Sequence, residues 1–362
     1  MKICVAGEGA FGNKHLEALA MIEGVEVASL VGGLREATEV TAKKFNIPHW
    51  TLDLAEGLAR PGVEAAILAT PTHMHAKQAE QAMLASKHVL VEIPMADSLA
   101  DAERLVEVQK KAGVVGMVGH VRRFNPSHQW VHNRIKADEL TLQQLNAQTY
   151  FFRRTNLNAL GQPRSWTDHL LWHHACHAVD LFLYQTGEPP SDVHAVHGPK
   201  HPNLGIAMDM GILLKAPSGA TFVLSLSFNN NGPLGSFYRY ICDNGTYIAR
   251  YDELVDGYDK PVDLSGVGEF FESSGSGGGL DEFSESSAGV GEAPRREFDG
   301  KGIEGPEAEV VQSGGKGHDD GSAAIVSREG RARVRFVKTG VFVCILLKRS
   351  QIRRKRRSWL VR

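Results

Sequence analysis

Long apolar runs are missing from this chain of 362 residues. A membrane helix needs about 20 consecutive apolar residues, and the longest late run, Val341 to Leu347, falls far short. No membrane partner is therefore expected. Cysteine is scarce: Cys4, Cys176, Cys242 and Cys344 stand far apart and form no CxxC pair. That excludes a disulfide framework and fits a reducing, cytoplasmic setting. Net charge is almost absent, at a formal -2, which argues against nucleic acid as the main partner. The first apolar stretch is cut by Gly7, Glu8 and Gly9, whereas a secretory signal keeps its apolar segment uninterrupted. The HExxH string of zinc hydrolases is absent, and so is any internal repeat.

What is present is a strand–helix alternation over the first 120 residues. Ile3–Ala6, Val25–Val31, Ala65–Ala69, Val89–Val91 and Val114–Val118 read as buried strands. Ala10–Ile22, His75–Ser86 and Leu99–Ala112 read as helices. Such alternation predicts a doubly wound parallel sheet, the Rossmann arrangement, over residues 1–121. The pattern then changes. One helix is expected from Pro126 to Leu140 and one from Asp168 to Gln185. Strands are expected at Leu145–Arg153, Asp192–His197, Met208–Lys215, Thr221–Asn229, Phe237–Cys242 and Thr246–Arg250. Turn signals such as Asn244-Gly245 separate several of them. The fold class is therefore α/β: a Rossmann domain, then an α/β domain at 122–267 with an open, mostly antiparallel sheet. Residues 268–362 lose hydrophobic periodicity, hold 16 of the 38 glycines and contain no acid after Glu329. That composition builds no packed core. It predicts a low-complexity tail, disordered or the product of a frameshift near codon 268.

Gly7-Glu8-Gly9-Ala10-Phe11-Gly12 is a GxGxxG string between a predicted strand and a predicted helix. In that context Gly7 permits the tight turn, Gly9 leaves room for a pyrophosphate and Gly12 lets helix and sheet pack closely. The start of the helix, at Ala10 and Phe11, offers free N–H donors to the phosphates. A nicotinamide cofactor follows. An acid normally ends the second strand to hold the ribose 2′-hydroxyl of NAD. Here the strand ends Leu30-Val31-Gly32-Gly33, with Arg35 and Glu36 beyond it. An arginine pairs with a 2′-phosphate, so NADP is expected, with NAD possible should Glu36 serve as the acid. The turn Thr70-Pro71-Thr72-His73-Met74-His75 and Glu92-Ile93-Pro94 follow two further strands. Ligands of such sheets bind beyond the carboxyl ends of the strands. Thr70, Pro71, Thr72, His75 and Glu92 are thus expected to face the cofactor.

The segment from Trp166 to Asp180 is dense in functional groups. On one α-helix, His169, His173, His177 and Asp180 would share a face. Three readings stand side by side: a catalytic base, a metal site built on His-x-x-x-His, or histidines packed under the sheet. The first is preferred and no metal is expected. Arg122-Arg123, Arg153-Arg154 and Arg164 are candidate clamps for substrate carboxylates.

The order GxGxxG, Thr-Pro-Thr-His-Met-His, Val-Glu-Ile-Pro and Gly119-His120-Val-Arg-Arg-Phe-Asn-Pro126 resembles the glucose–fructose oxidoreductase/inositol dehydrogenase/MocA family. The resemblance covers residues 1 to about 267. It implies an NAD(P)-dependent dehydrogenase acting on a CH–OH group, and a homo-oligomer, a dimer, formed through the second-domain sheet. The segments Arg122–His128, Tyr150–Arg154, Pro163–His174, Leu224–Asn230 and Tyr240–Tyr251 resemble a branch acting in protocatechuate catabolism. The implied substrate is a small dicarboxylate semialdehyde, oxidised as its cyclic hemiacetal to a lactone. His177 is then the expected base, with His173 second and His174 third. Arg122, Arg123, Arg153, Arg164 and Asp180 are the expected substrate contacts. Two departures from the family stand out: Ile93 replaces the lysine of its Glu-Lys-Pro, and His173 stands where an aspartate is usual. The alternatives are a sugar or polyol dehydrogenase of the same fold, or a catalytically silent nucleotide-binding regulator.

Overall fold

The computed structural model describes residues 1–157, 163, 169–233, 235–265 and 267, and the backbone of 326–328 and 331–333. The expectation for the 268–362 tail therefore lies outside the described residues, apart from two short paired strands, Val326–Arg328 and Arg331–Arg333.

Six parallel strands form the first sheet: β1 (Lys2–Ala6), β2 (Glu26–Val31), β3 (Trp50–Thr51), β4 (Val63–Leu68), β5 (His88–Val91) and β6 (Gly116–Val118), in the order β3-β2-β1-β4-β5-β6. Strand periodicity sends alternate side chains to opposite faces. Ile3 and Val5 of β1 pack with Leu16 and Leu19 of α1 (Ala10–Ala20) and Ala42 of α2 (Arg35–Lys44). Cys4 and Ala6 face the other way, toward α3 (Leu54–Leu58), α4 (Thr72–Leu84) and α5 (Leu99–Ala112). α5 matches its predicted bounds because its signals are local. Ser98 Oγ accepts from Asp101 N, and Gly113 closes the helix in the left-handed region at φ 65°. α2, α3 and β3 were not foreseen. α2 is polar and buries only Thr38, Thr41 and Ala42, so no apolar stripe announces it. The order reverses between β1 and β4, and the crevice beyond their ends is where such sheets bind ligands.

The second sheet is mixed, with seven strands: β7 (Leu142–Tyr150), β8 (Asp192–His197), β9 (Asp209–Lys215), β10 (Thr221–Ser227), β11 (Gly235–Cys242), β12 (Gly245–Arg250) and β13 (Glu253–Asp256). Only the β7–β10 pair within it is parallel. One face carries α6 (Pro126–Lys136) and α7 (Cys176–Thr186), and Phe182 of α7 packs there with Phe222, Tyr238 and Tyr240 of the sheet. Each such large side chain contributes about 1.5–3 kcal/mol when fully buried.

Burial under this sheet makes the fold sensitive to acid. His128 is fully buried, with Nδ1 2.7 Å from the Tyr240 hydroxyl, and burial and then Arg122 push its pKa down to about 3. His132 stacks on Tyr184 at 3.7 Å and is pushed down to about 4, first by burial and then by Lys136. The folded state keeps both neutral, while the unfolded chain takes up their protons near the ordinary value of 6.5. Stability is thus full above pH 6.5 and falls as pH drops toward 4. The expected result is a urea midpoint that declines steadily between pH 7.5 and 5. A constant midpoint over that range would refute it.

Candidate active site

The glycine loop bridges the ends of β1 and β4. Gly7 has φ +113°, and a Cβ there would lie 2.4 Å from the Ala69 carbonyl oxygen. At Gly12 a Cβ would lie 1.8 Å from the carbonyl oxygen of Gly7. These two glycines are required by the fold itself. Gly9 differs: its backbone is extended, at φ -73° and ψ -170°, and a Cβ there would meet nothing within 4 Å. The space above Gly9, at the opening of α1, is open. Ala10 and Phe11 are exposed beside it. This open cradle at a helix start fits the pyrophosphate of a dinucleotide.

The turn after β4 is braced from below. His75 is buried, with Nδ1 2.8 Å from the Pro94 carbonyl oxygen and Nε2 2.7 Å from that of Thr70. Both ring nitrogens are committed to the backbone. His75, expected to face the cofactor, ties the Thr70-Pro71-Thr72 turn to the Ile93-Pro94 turn. Thr70 Oγ1 donates to Gln78 Oε1, and Pro71 stands at the start of α4. Thr72 Oγ1 lies 3.2 Å from His173 Nε2, which joins the first sheet's loop to the histidine segment. Glu92 Oε1 lies 2.7 Å from His15 Nε2 of α1. Arg35 opens α2 with its guanidinium 5.3 Å from the centre of the Trp50 ring.

The histidine segment is not one α-helix. Leu170–Ala175 forms a π-helical turn, and the α-helix begins only at Cys176. The wider turn breaks the predicted shared face. His169 caps the π turn, its Nδ1 accepting from Leu171 N, and its own backbone N–H donates to His173 Nδ1 at 3.0 Å. His173 then points to Thr72, and His174 packs edge-on against Phe228 and tilted on Phe151. His177 turns to His120, with ring centres 5.7 Å apart in a T-shaped contact. His177 Nδ1 and His120 Nδ1 are buried and have no hydrogen-bond partner. Burial, and then His120, Arg122 and His174, hold the His177 pKa well below the ordinary histidine value. Burial likewise lowers His120, with Asp180 opposing. The imidazole of His177 is therefore neutral at neutral pH, with a lone pair to offer.

Among the described residues, ligating atoms of His120, Cys176 and His177 come within 4.8 Å of one another. His-x-x-x-His, the spacing behind the metal reading, does not make this cluster. Burial pushes the Cys176 thiol up, so it stands there as a neutral thiol.

The arginines divide. Arg123 donates through Nε and Nη2 to both carboxylate oxygens of Asp180, and its guanidinium also lies 5.0 Å from the Tyr184 ring centre. Arg123 and Asp180, both expected at the substrate, are thus paired with each other, two poorly solvated opposite charges. His120 Nε2 lies 3.8 Å from the same carboxylate. Arg122 Nη2 donates to Ser236 Oγ at 3.3 Å and lies over Tyr251. Arg153 lies over Phe228, the ring that His174 also touches. Arg164 lies outside the described residues. His120 was missed as a site residue. It stands two residues beyond β6, past a strand's carboxyl end, and that position was the available signal.

Two family models match: "Oxidoreductase family, NAD-binding Rossmann fold" over residues 1–120, and "Bacterial oxidoreductases, C-terminal" over residues 126–268. The chain is 60% identical over 267 residues to 4-carboxy-2-hydroxymuconate-6-semialdehyde dehydrogenase of Sphingobium sp. (strain NBRC 103272 / SYK-6), spanning 74% of this chain and 84% of that protein. It is 31% identical over 141 residues to scyllo-inositol 2-dehydrogenase (NAD(+)) of Bacillus subtilis, 39% of this chain and 41% of that one. Among solved structures, levoglucosan dehydrogenase in complex with NADH and L-sorbose shares the fold at TM-score 0.66 and 20% identity, covering 79% of this chain and 87% of that one. GenD2 from gentamicin A biosynthesis, in complex with NAD, shares it at TM-score 0.61 and 22% identity, covering 69% and 72%. With both sheets matched and the glycine cradle in place, the chain belongs to the oxidoreductase family with the NAD-binding Rossmann fold, the glucose–fructose oxidoreductase/inositol dehydrogenase/MocA family.

Proposed function

We propose that this chain oxidises 4-carboxy-2-hydroxymuconate-6-semialdehyde, as its cyclic hemiacetal, to the lactone 2-pyrone-4,6-dicarboxylate in protocatechuate breakdown. The observation that carries the reading is 60% identity to the dehydrogenase of that semialdehyde across 84% of its length. A nicotinamide dinucleotide would supply the hydride acceptor, its pyrophosphate held at the loop of Gly7, Gly9, Ala10, Phe11 and Gly12. His177 takes the hydroxyl proton on its neutral imidazole. His173 steadies the Thr72 turn, and His174 closes the wall formed by Phe151 and Phe228. The Arg123–Asp180 pair fixes the position of His120 against His177. Arg122, Arg153 and Arg164 are the proposed contacts of the two substrate carboxylates. A hemiacetal hydroxyl is more acidic than that of a simple alcohol, so a neutral histidine suffices without the lysine that Ile93 replaces.

Arg35 favours NADP, with NAD also accepted. The test is cofactor reduction followed at 340 nm, with freshly generated protocatechuate ring-cleavage product and each cofactor in parallel. Reduction is expected with both cofactors and faster with NADP. Arg35→Ala should cost NADP roughly tenfold in kcat/KM, the lower end for one charge-assisted hydrogen bond, and leave NAD nearly unchanged. Folded protein that reduces neither cofactor would sink the substrate assignment, and equal losses in the variant would sink the role of Arg35.

A further inference from the structure

The second strand ends Val31-Gly32-Gly33 with no acid, so the carboxylate that usually meets the adenosine ribose is missing from its expected place. The structure brings one there from another part of the chain. Glu8, the first variable residue of the glycine loop, is half-buried and reaches the turn after β2. Its Oε1 accepts from the backbone N–H of Gly33 at 2.8 Å and of Leu34 at 3.0 Å. Leu34 is the N-cap of α2 and has no capping side chain of its own. The Glu8 carboxylate therefore caps that helix, where backbone donors and the helix dipole both favour an anion. Arg35, the next residue, rests on Trp50.

These two N–H groups follow the end of β2 closely, with Arg35 next in the chain, and the two N–H groups already hold a negative charge. A 2′-phosphate arriving there meets a carboxylate in its place and must displace it against like-charge repulsion. The two hydroxyls of an unphosphorylated ribose carry no charge and can donate to the same carboxylate. We infer that Glu8 sets the cofactor preference of this enzyme by acting against the 2′-phosphate, in opposition to Arg35. The inference rests on a nicotinamide dinucleotide binding at the glycine loop, and not on which of the two cofactors the natural protein prefers.

Calorimetric titration of the full chain with NADP and with NAD tests it. Glu8→Gln keeps the length and an acceptor oxygen but removes the charge. It should raise the ratio of the NAD to the NADP dissociation constant by about tenfold, an effect that shrinks with added salt because the charges are only partly screened by protein. Glu8→Ala should move the ratio in the same direction, and it serves as the second reading if the glutamine variant has lost its thermal unfolding transition. A ratio that stays put, or moves toward NAD, in folded variants overturns the inference while leaving the dehydrogenase reading intact. Natural protein that binds neither dinucleotide overturns both.

Discussion

Replacing His177 with alanine lowers kcat by roughly 10²–10⁴-fold, the usual contribution of one positioned general base. The cause is specific to this site. Burial and the neighbouring His120, Arg122 and His174 keep the imidazole neutral, and its Nδ1 has no hydrogen-bond partner. A neutral imidazole with a free lone pair accepts a proton at once, without first giving one up. On the proposed reading the group meets the substrate hydroxyl and not the cofactor, so the dissociation constant for NADP or NAD should stay within about threefold, a change of under 1 kcal/mol. Added imidazole should restore part of the rate by filling the vacated space. Steady-state kinetics with calorimetry separate the two quantities. An unchanged kcat would move the base elsewhere, with His173 on the Thr72 turn next in line. A lost cofactor affinity would mean the residue holds the fold together rather than the proton.

Gly9→Val should abolish dinucleotide binding while leaving the protein as stable as before. The three glycines of the loop are not equivalent, and only the structure separates them. A Cβ at Gly7 or Gly12 collides with backbone at 2.4 Å or 1.8 Å, so substitution there damages the fold and says little about the ligand. At Gly9 a Cβ meets nothing within 4 Å beyond its chain neighbours, and the backbone angles are open to any residue, so valine's carbons enter open space. They occupy only the space that a pyrophosphate would fill, over the free N–H groups of α1. Valine should therefore weaken binding by roughly 10³-fold or more, about 4 kcal/mol, with the thermal midpoint unchanged. Retained affinity for both cofactors would mean that this loop is not the cradle. A fallen thermal midpoint would mean that the open space is lost in solution.

Much of the fold could be read directly from the chain. Strands β1, β2, β4 and β5 are short apolar runs fully covered by helices, a pattern that needs no knowledge of partners. Local signals also sufficed for α5, whose serine cap and closing glycine are contiguous with it. Where the signal was weak, the reading failed. α2 exposes most of its side chains, and β3 is two residues held by pairing with β2 alone. The π turn at Leu170–Ala175 was also hidden, because α and π turns use the same residues and differ only in how they close.

The site divides along the same line. Sequence alone determined the glycine cradle, the histidine-rich segment and the arginines, because each is a local run whose chemistry is fixed by residue type. Only tertiary structure decided their roles, since each role depends on a partner distant in the chain. Arg123 meets Asp180 across 57 positions and is held by it. His75 is spent on carbonyl groups beneath the loop that it was expected to decorate. Thr72 meets His173 across 101 positions, joining the two sheets at the reactive end. Glu8 supplies at the end of β2 a carboxylate that β2 itself does not encode. A charge or a lone pair has a function only once its nearest opposite is known, and folding, not chain order, selects that neighbour.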